Sequence, residues 1–503
     1  MTTEPVVRPS SARATLWIAC AAPLLVLVAF TAPVSTIRVL TEELGSGESG
    51  RTWILGSISV GLAASLMAAG TLADHFGRRR LLVLGGAGLA LASAVCATAS
   101  DTPVFVLGRL AQGAAGAALL ASSLGLLGHA FPPGPRRARA TGLWGAMVGG
   151  GIAIGPVYAA VLTEAAGRPS VYWVLAVLAA VVALWGALSL QESRSTVRRR
   201  FDPAGVLTLA AGISLLVAAL TEGRSGWTRA PVVLSLAAGV LLLGCFALVE
   251  RRAADPVLEP AFLRRPAFVA STTGALVTGV AVIGLMTYVP VAAQLVLGLS
   301  PLESAGLLAF WSGLSFLVAP QARRFVQRVG DRQQVAAGLL VCGVGMLALT
   351  GVTGESSWWR LVPGLVLAGV GSGVVNAALA SLAVRSVPPD RVSVGSAANN
   401  TARYLGSSLG VAMVAAVVAA PSAGGGRAGA FSTGMSWAAV VCGALAIAGA
   451  VVVALCRERT APAPEGTAPE GTAPEGTTPK GTTPEGPGGD RAGGARPPAA
   501  RRP

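Results

Sequence analysis

Long apolar runs separated by short polar connections extend along most of the chain. Fourteen such runs occur, at residues 16–36, 52–72, 81–100, 103–128, 139–162, 171–190, 204–220, 231–249, 267–290, 302–320, 334–353, 360–384, 394–420 and 432–456. Because a membrane-spanning helix needs roughly 20 mostly apolar residues, this pattern predicts an all-α membrane protein with about 14 transmembrane helices. The runs are rich in Ala, Gly and Leu, and small residues allow helices to pack closely in lipid.

The composition excludes a water-soluble fold. Of the 503 residues, 53% are hydrophobic and 12% are charged, about half the charged fraction of a soluble domain. The formal charge of +15 comes almost entirely from arginines in small clusters between the apolar runs, and Lys480 is the only lysine. Such clusters are typical of a topology signal rather than of a nucleic-acid surface. We therefore expect a lipid bilayer, and no nucleic acid, as a partner.

The arginine clusters also predict how the chain crosses the membrane. If the N-terminus lies inside, the internal connections contain 20 Arg residues and the external connections contain 7. Positive residues concentrate in the cytoplasmic loops of membrane proteins. We expect a multi-pass protein of the bacterial inner membrane with both termini in the cytoplasm.

The C-terminal segment and the cysteines predict no catalytic chemistry. After Arg459 the chain repeats Pro-Glu-Gly-Thr-Ala, a composition that cannot bury apolar surface, so residues 457–503 are predicted to be a disordered cytoplasmic tail. The six cysteines lie within or at the ends of apolar runs without a CxxC pair. They predict neither a disulfide nor a metal site, and we expect no cofactor.

The connection after the second run contains the most specific motif. It places Asp74 at a helix end and Gly77 at a tight turn, with Gly70 one turn before the aspartate and Arg78 and Arg79 directly after the turn. A carboxylate beside arginines and near a helix N-terminus can act as a conformational latch that forms in one state and breaks in another. The motif resembles the signature loop of the major facilitator superfamily.

A second motif places an arginine inside the fourth run. Arg109 is followed by Gln112 and Gly113, and an arginine well inside a membrane helix costs roughly 3 kcal/mol on insertion scales. We predict that Arg109 faces a cavity or a partner, and that it has a coupling or cavity role together with Gln112 and Gly113. The alternative is that its side chain snorkels to the external surface, because the loop at Asp101 is close. The motif resembles the second signature of the same superfamily.

The fifth run combines glycines with a proline. Gly151 and Gly155 permit close helix packing, and Pro156 removes a backbone hydrogen bond, which predicts a helix bend. The stretch resembles the antiporter signature of drug exporters in the superfamily. It departs from that signature where further glycines are expected, at Val157, Tyr158 and Ala159.

The thirteenth run contains a second intramembrane arginine. Arg403 lies one turn after Asn399 and Asn400, and we predict a coupling or cavity role for all three. The run resembles the penultimate span of the fourteen-helix drug:proton antiporter family, and the Asp202-Pro203 entry to the seventh run is also similar to that family.

This resemblance implies a major facilitator fold with two six-helix halves and an inserted helix pair. The expected segments are a cytoplasmic N-terminal tail (1–15), an N-terminal half (16–190), a linker with helices 7 and 8 (191–260), a C-terminal half (261–456) and the tail (457–503). The implied function is secondary active transport, with proton-coupled efflux of a drug, an antibiotic or a small metabolite by a monomer. The alternative is a facilitator fold that carries another substrate class, such as organic-anion or sugar uptake, or that is uncoupled.

An enzyme is not expected. The stretch from Gly406 to Gly410 formally matches a serine nucleophile motif around Ser408, but the only histidines, His75 and His129, are predicted at the membrane edge among arginines. Helix packing explains these small residues better than catalysis does.

The first run departs from the resembled family. Its members carry an acidic residue where the register here places Val26, and no Asp or Glu lies deep in any run. Asp74 is therefore the candidate proton carrier.

A substrate cavity is expected near the middle of the membrane, between the two halves. The candidate lining residues are Met286, Tyr288, Trp311 and Asn376. The alternative for the methionine and the aromatic residues is ordinary packing or anchoring at the membrane interface.

Overall fold

The computed structural model describes residues 9–194, 202–223, 226–253, 256, 259–321, 329–419 and 427–456. Within these residues every regular element is helical. The predicted C-terminal tail, residues 457–503, lies outside them.

Fourteen long helices make up most of the described chain. In chain order they are α1 (Pro9–Glu43), α2 (Glu48–Phe76), α3 (Arg78–Thr98), α4 (Thr102–Ala130), α5 (Pro135–Ala166), α6 (Arg168–Ser189), α7 (Pro203–Glu222), α8 (Ala230–Arg252), α9 (Pro266–Leu297), α10 (Pro301–Val318), α11 (Asp331–Leu347), α12 (Val362–Arg385), α13 (Val392–Ala419) and α14 (Arg427–Leu455). Thirteen are long and apolar enough to cross a membrane, and α11 is slightly shorter, with 17 residues.

Helix α1 differs most from its apolar run. It begins at Pro9, inside the segment predicted as an N-terminal tail, and it ends at Glu43, well beyond residue 36. Helical hydrogen bonds continue through polar residues, whereas the apolar pattern marks only the part of a helix that lies in lipid. The helix also contains Pro23 and Pro33, and each removes one backbone N–H from the helical ladder.

Helices α1–α6 pack together as one half. Glycines let their backbones approach: a Cβ atom at Gly86 of α3 would lie 2.9 Å from Ala183 Cβ of α6. Arg168 at the start of α6 forms an ion pair of 2.6 Å with Glu43 of α1 and donates to the backbone carbonyl of Ala99 after α3. The N-terminal half is thus held together by the ion pair of Arg168 at one end and by close packing at small residues along its length.

Helices α9–α14 form the second half. A Cβ atom at Gly338 of α11 would lie 2.9 Å from the carbonyl oxygen of Gly371 on α12, and one at Gly284 of α9 would lie 2.7 Å from the carbonyl carbon of Gly410 on α13. Helix α9 includes one π-helical segment, Thr278–Ile283, which packs on α13.

Helices α7 and α8 pack on each other, and α7 packs on α2. Trp53 Nε1 of α2 donates to Glu222 Oε2 at the end of α7 over 2.8 Å, and Arg229 Nη1 at the start of α8 pairs with Glu222 Oε1 over 3.0 Å. Helix α8 buries little of its surface in the bundle, whereas most of the apolar part of α2 is buried.

The contacts between the halves begin at one end of the bundle. We call this the latch end and define it by the loops at Gly77 and Gly134. Close to it, a Cβ atom at Gly70 of α2 would lie 2.6 Å from Ala397 Cβ of α13. In the described residues the contacts continue to the middle of the spans, where the rings of Phe30 (α1) and Tyr404 (α13) lie 5.9 Å apart.

Candidate functional site

Asp74, Arg78, Ser393 and Val394 form a buried group at the latch end, which we call the latch cluster. Arg78 donates to Asp74 Oδ1 from Nε (2.9 Å) and from Nη2 (2.8 Å), and its Nε also donates to Ser393 Oγ over 3.2 Å. The second carboxylate oxygen of Asp74 accepts the backbone N–H of Val394 over 3.2 Å. Because Val394 is close to the start of α13, the carboxylate sits at the positive end of that helix. The cluster therefore connects α2 and α3 of one half with α13 of the other.

The turn between α2 and α3 explains two more predicted residues. Gly77 has a φ of +119°, a conformation that L side chains rarely adopt, and a Cβ atom there would meet the carboxylate of Glu192. That carboxylate accepts the backbone N–H of Arg79 (3.1 Å) and of Arg80 (3.3 Å), so Glu192 caps the start of α3. The Arg79 side chain donates to the carbonyl of Ala187 on α6. Sequence reasoning missed Glu192, whose only signal is an acid directly after the sixth run.

Arg109 is completely buried and contacts the backbone of α1. Its Nη1 donates to the carbonyl of Ala29, and its Nη2 donates to the carbonyl of Phe30 over 3.3 Å. Its Nη1 also donates to Gln112 Oε1 over 3.1 Å, and Gln112 Nε2 donates to Ser93 Oγ of α3 over 2.9 Å. One arginine on α4 therefore links α1 and α3.

Pro33 explains why α1 offers one of these acceptors. A proline has no N–H, so the carbonyl four residues before it, that of Ala29, has no helical donor. Arg109 supplies the missing donor. The snorkelling alternative is wrong, because the side chain bonds to α1 inside the half and has no exposed surface. Its neighbour Gly113 permits this arrangement, since a Cβ atom there would lie 2.7 Å from the backbone nitrogen of Leu62 on α2.

One face of α13 contacts the N-terminal half at successive turns. Besides Ser393 in the latch cluster, Ser396 Oγ donates to the carbonyl of Leu120 on α4 over 3.4 Å, and Tyr404 packs against Phe30. Asn400 lies four residues from both Ser396 and Tyr404, so helical periodicity places it on this face. Its Nδ2 donates to the carbonyl of Ser396 over 3.0 Å.

The other predicted polar residues of α13 face the C-terminal half. Asn399 Nδ2 donates to Ser271 Oγ of α9 over 2.9 Å. Arg403 Nη1 donates to Asn376 Oδ1 of α12 over 2.9 Å, and Asn376 Nδ2 donates to Ser315 Oγ of α10 over 3.4 Å. Arg403 thus begins a polar chain across three helices, which was not visible in the sequence because its members are far apart.

The glycines of α5 pack against α1. A Cβ atom at Gly151 would lie 2.6 Å from Leu27 Cβ, and one at Gly155 would meet Thr31. The Ser35 hydroxyl donates to the carbonyl of Pro156 over 2.7 Å. Helix α5 continues from Pro135 to Ala166 through this proline, so the bend at Pro156 stays a prediction, whereas the close packing predicted for the glycines is observed.

Three of the four candidate cavity residues pack inside the C-terminal half. Met286 and Trp311 are buried in one apolar cluster, Tyr288 packs against it, and Trp311 Nε1 donates to Ser372 Oγ over 2.9 Å. Asn376 instead reaches the boundary between the halves, because a Cβ atom at Gly145 of α5 would lie 2.9 Å from its backbone. A role in a substrate cavity stays a prediction for all four.

A separate cleft of about 380 Å³ opens in the C-terminal half at the end opposite the latch. Its walls are mostly apolar and include Val289, Leu297, Leu361, Ser432 and Met435. None of the predicted site residues lines it, so we do not place the functional site there.

No carboxylate was found near the middle of a described span. The described Asp and Glu residues lie in loops or within about two turns of helix ends. Val26 is buried, and a Cβ atom at Gly116 of α4 would lie 3.0 Å from its Cγ1, so apolar packing occupies the position where an acid was expected. The described residues also contain no group of three His, Cys, Asp or Glu side chains that could hold a metal ion.

Comparison with known proteins identifies the family. The Major Facilitator Superfamily matches residues 18–411. The chain is 31% identical over 382 residues to "Multidrug resistance protein Stp" of Mycobacterium tuberculosis, covering 76% of this chain and 71% of that protein. It is 32% identical over 401 residues to "Puromycin resistance protein pur8" of Streptomyces alboniger, covering 78% and 79%.

A solved structure shows the same fold. The human organic anion transporter MFSD10 (TETRAN) superposes with a TM-score of 0.66 at 18% identity, covering 90% of this chain and all of that one. The predicted fold class is confirmed, and so is the prediction of a transporter rather than an enzyme. The chain belongs to the Major Facilitator Superfamily.

Proposed function

We propose that the chain is a proton-coupled exporter of a drug, an antibiotic or a small metabolite, which works as a monomer by alternating access. The latch cluster carries the proposal, because it joins the two halves at one end through groups that are costly to leave unpaired. The relatives, named as a multidrug and a puromycin resistance protein, support export as the direction. In this proposal both termini and the latch end lie in the cytoplasm of a bacterial cell.

The latch cluster has the properties of a two-state element. Asp74 and Arg78 are 5% and 2% exposed, and breaking a buried ion pair by removal of one partner costs about 3–5 kcal/mol. When the halves separate at this end, Asp74 loses the Val394 N–H and Arg78 loses Ser393. Water that enters can then solvate both charges, so the closed and open arrangements each satisfy the polar groups.

Protons would act through the same carboxylate. A protonated Asp74 carries no charge, so it attracts neither Arg78 nor the start of α13 as strongly, and proton binding favours opening of the latch end. The absence of a carboxylate in the middle of the described spans leaves Asp74 as the buried acid best placed for this role. Arg109 would hold α1 at a fixed register against α4 while the halves move.

Transport into inverted membrane vesicles tests the proposal. Vesicles that contain the protein should accumulate a panel of toxic compounds when the interior is acidified, and an ionophore that removes the proton gradient should abolish accumulation. Vesicles with Asp74→Asn should show much slower accumulation. Accumulation that persists without the gradient would instead identify an uncoupled facilitator, which is the alternative function.

A further inference from the structure

Arg403 is a buried arginine with few partners. The residue is 4% exposed, and within the described part of the chain its guanidinium makes one hydrogen bond, from Nη1 to Asn376 Oδ1. Its Nε is buried without a partner. A guanidinium has five N–H donors and carries a full positive charge, so most of the hydrogen-bonding capacity of Arg403 is unused.

The other intramembrane arginine has more partners, although its Nε is likewise buried without one. Arg109 has three acceptors on two helices, and two of them are backbone carbonyls of α1. Arg403 has none of this kind. Among the described residues, neither arginine has a carboxylate within ion-pair distance, whereas Arg78, Arg168 and Arg391 each have one.

Arg403 lies at the boundary between the two halves. Its neighbour Tyr404 contacts Phe30 of α1, and its partner Asn376 lies against Gly145 of α5, so both helices that hold the guanidinium reach the N-terminal half. From Arg403 to the latch end the described contacts are continuous. The guanidinium is therefore held at the boundary that opens when the halves separate in the proposed transport cycle.

We propose that Arg403 binds the anionic group of the transported molecule, so that the substrate class is organic acids with a carboxylate or a similar group. This inference rests on the proposed export function and names its substrate. An anion supplies both things that the site lacks, a counter-charge and acceptors for unused donors, and charge-assisted hydrogen bonds to Arg are strong where water is excluded. Asn376 and Asn400 border the same level and can donate to or accept from the rest of the ligand.

Equilibrium binding to the purified full chain in lipid nanodiscs tests the inference. The probes are radiolabelled aromatic carboxylic acids, from naphthoate to larger ring systems, and the matched primary amide of each. We expect the wild type to bind at least one acid much more tightly than its amide. Arg403→Gln should weaken that binding on the order of 30-fold, and Arg403→Lys should recover part of it.

Controls separate recognition from folding. Arg229→Gln removes an arginine that pairs with Glu222 at the far side of the inserted helix pair, and it should bind acids like the wild type. If no acid binds, if amides bind equally well, or if Arg403→Gln weakens acid and amide alike, the inference is wrong. Binding of labelled chloride that depends on Arg403, without binding of any acid, would also overturn it and identify an inorganic anion site.

The vesicle experiment distinguishes this inference from the proposed function. If wild-type vesicles accumulate cationic and neutral compounds under a proton gradient but no acids, export stands and the assignment of the substrate class fails. If no compound responds to the gradient while Arg403-dependent acid binding persists, the proton-driven function fails and the anion site stands.

Discussion

Arg109 and Pro33 show how much a single residue reveals in the sequence. A charge inside an apolar run is conspicuous, so Arg109 could be predicted as a site residue. Its partners could not, because they are backbone carbonyls about 80 positions earlier, and any residue type presents a carbonyl. The same holds for Arg403, whose partner Asn376 lies 27 positions away on another helix. The two intramembrane arginines of the candidate site were thus predictable, and their pairings were not.

Substitution of Arg109 should affect transport more than insertion. Arg109→Ala removes a charge that costs roughly 3 kcal/mol to insert, so the abundance in membranes should be at least that of the wild type. Transport should fall by about tenfold or more, because the α1 carbonyl released by Pro33 loses its donor. Arg109→Lys restores a charge but not the planar fork that reaches two carbonyls and Gln112, so it should recover little.

Vesicle transport, with abundance measured on the same membranes, checks this expectation. Arg360→Ala is the matched control, because Arg360 is an exposed arginine outside the bundle interior, and it should transport normally. Normal transport by Arg109→Ala would contradict the role given to the arginine.

Asp74→Asn should slow the transport cycle without abolishing substrate binding. The substitution leaves Arg78 buried without a counter-ion, at a cost of about 3–5 kcal/mol to the latched arrangement. Such a cost shifts the populations of two conformations by a factor of 100 or more, but the latch cluster lies at the end of the bundle and does not contact the level of Arg403.

Binding and vesicle transport should be measured together for this variant. Asp101→Asn is the control, because Asp101 caps the start of α4 by accepting the Val104 N–H over 2.9 Å, and asparagine caps a helix equally well. A loss of binding equal to the loss of transport would show that Asp74 acts on the cavity rather than on the latch.

At the scale of helices, the apolar pattern was sufficient to predict the number and order of the helices but not the contacts between them. Each of the fourteen runs corresponds to one helix, since a span in lipid must satisfy its own backbone hydrogen bonds. The ends differ, as α1 shows, because polar residues extend helices beyond the apolar runs. The π-helical segment Thr278–Ile283 left no sign in the pattern, because one widened turn changes neither composition nor length enough to detect.

Addition of a single methyl group at Gly113, in the second signature motif, should destabilise the protein. Gly113→Ala places a Cβ atom 2.7 Å from the backbone nitrogen of Leu62, where backbone must move. We expect a loss of stability of about 1–3 kcal/mol, as for overpacked cores, seen as a lower Tm of the purified protein. Gly244→Ala on α8 is the control, since its Cβ atom would meet nothing within 4 Å, and it should leave the Tm unchanged or slightly higher.

An unchanged Tm for Gly113→Ala would mean that α2 and α4 are not held at this distance. In that case the close packing that aligns Arg109 with α1 would need another cause.

At the scale of the whole molecule, the two halves differ in how their charges are balanced. The N-terminal half and the latch end contain arginines with carboxylate or carbonyl partners, whereas the middle of the C-terminal half contains Arg403 with one amide. A membrane interior strongly disfavours an uncompensated charge, and an anionic substrate bound at Arg403, as we propose, would balance it. The latch cluster then couples the C-terminal half to α2 and α3 across the boundary.

The arrangement of all fourteen spans can be tested with two glycines in open loops. Gly47, between α1 and α2, and Gly330, before α11, are exposed with φ values of −73° and −62°, and a Cβ atom at either would meet nothing within 4 Å. Cysteine fits both sites without strain. Of the native cysteines, four are buried, so only the half-buried Cys245 and Cys456 need replacement by alanine.

With the excess of arginines on the cytoplasmic side, these two loops should face opposite sides of the membrane. A membrane-impermeant maleimide should label Gly47→Cys in intact cells, and it should label Gly330→Cys only after the cells are opened. Nine spans separate the two loops, an odd number, so labelling from the same side would mean that one helix between α2 and α10 does not cross. If Gly330→Cys alone is labelled in intact cells, the number of crossings is unchanged but the orientation of the protein is inverted. The latch cluster would then lie outside the cell, which would contradict its proposed proton-dependent opening toward the cytoplasm.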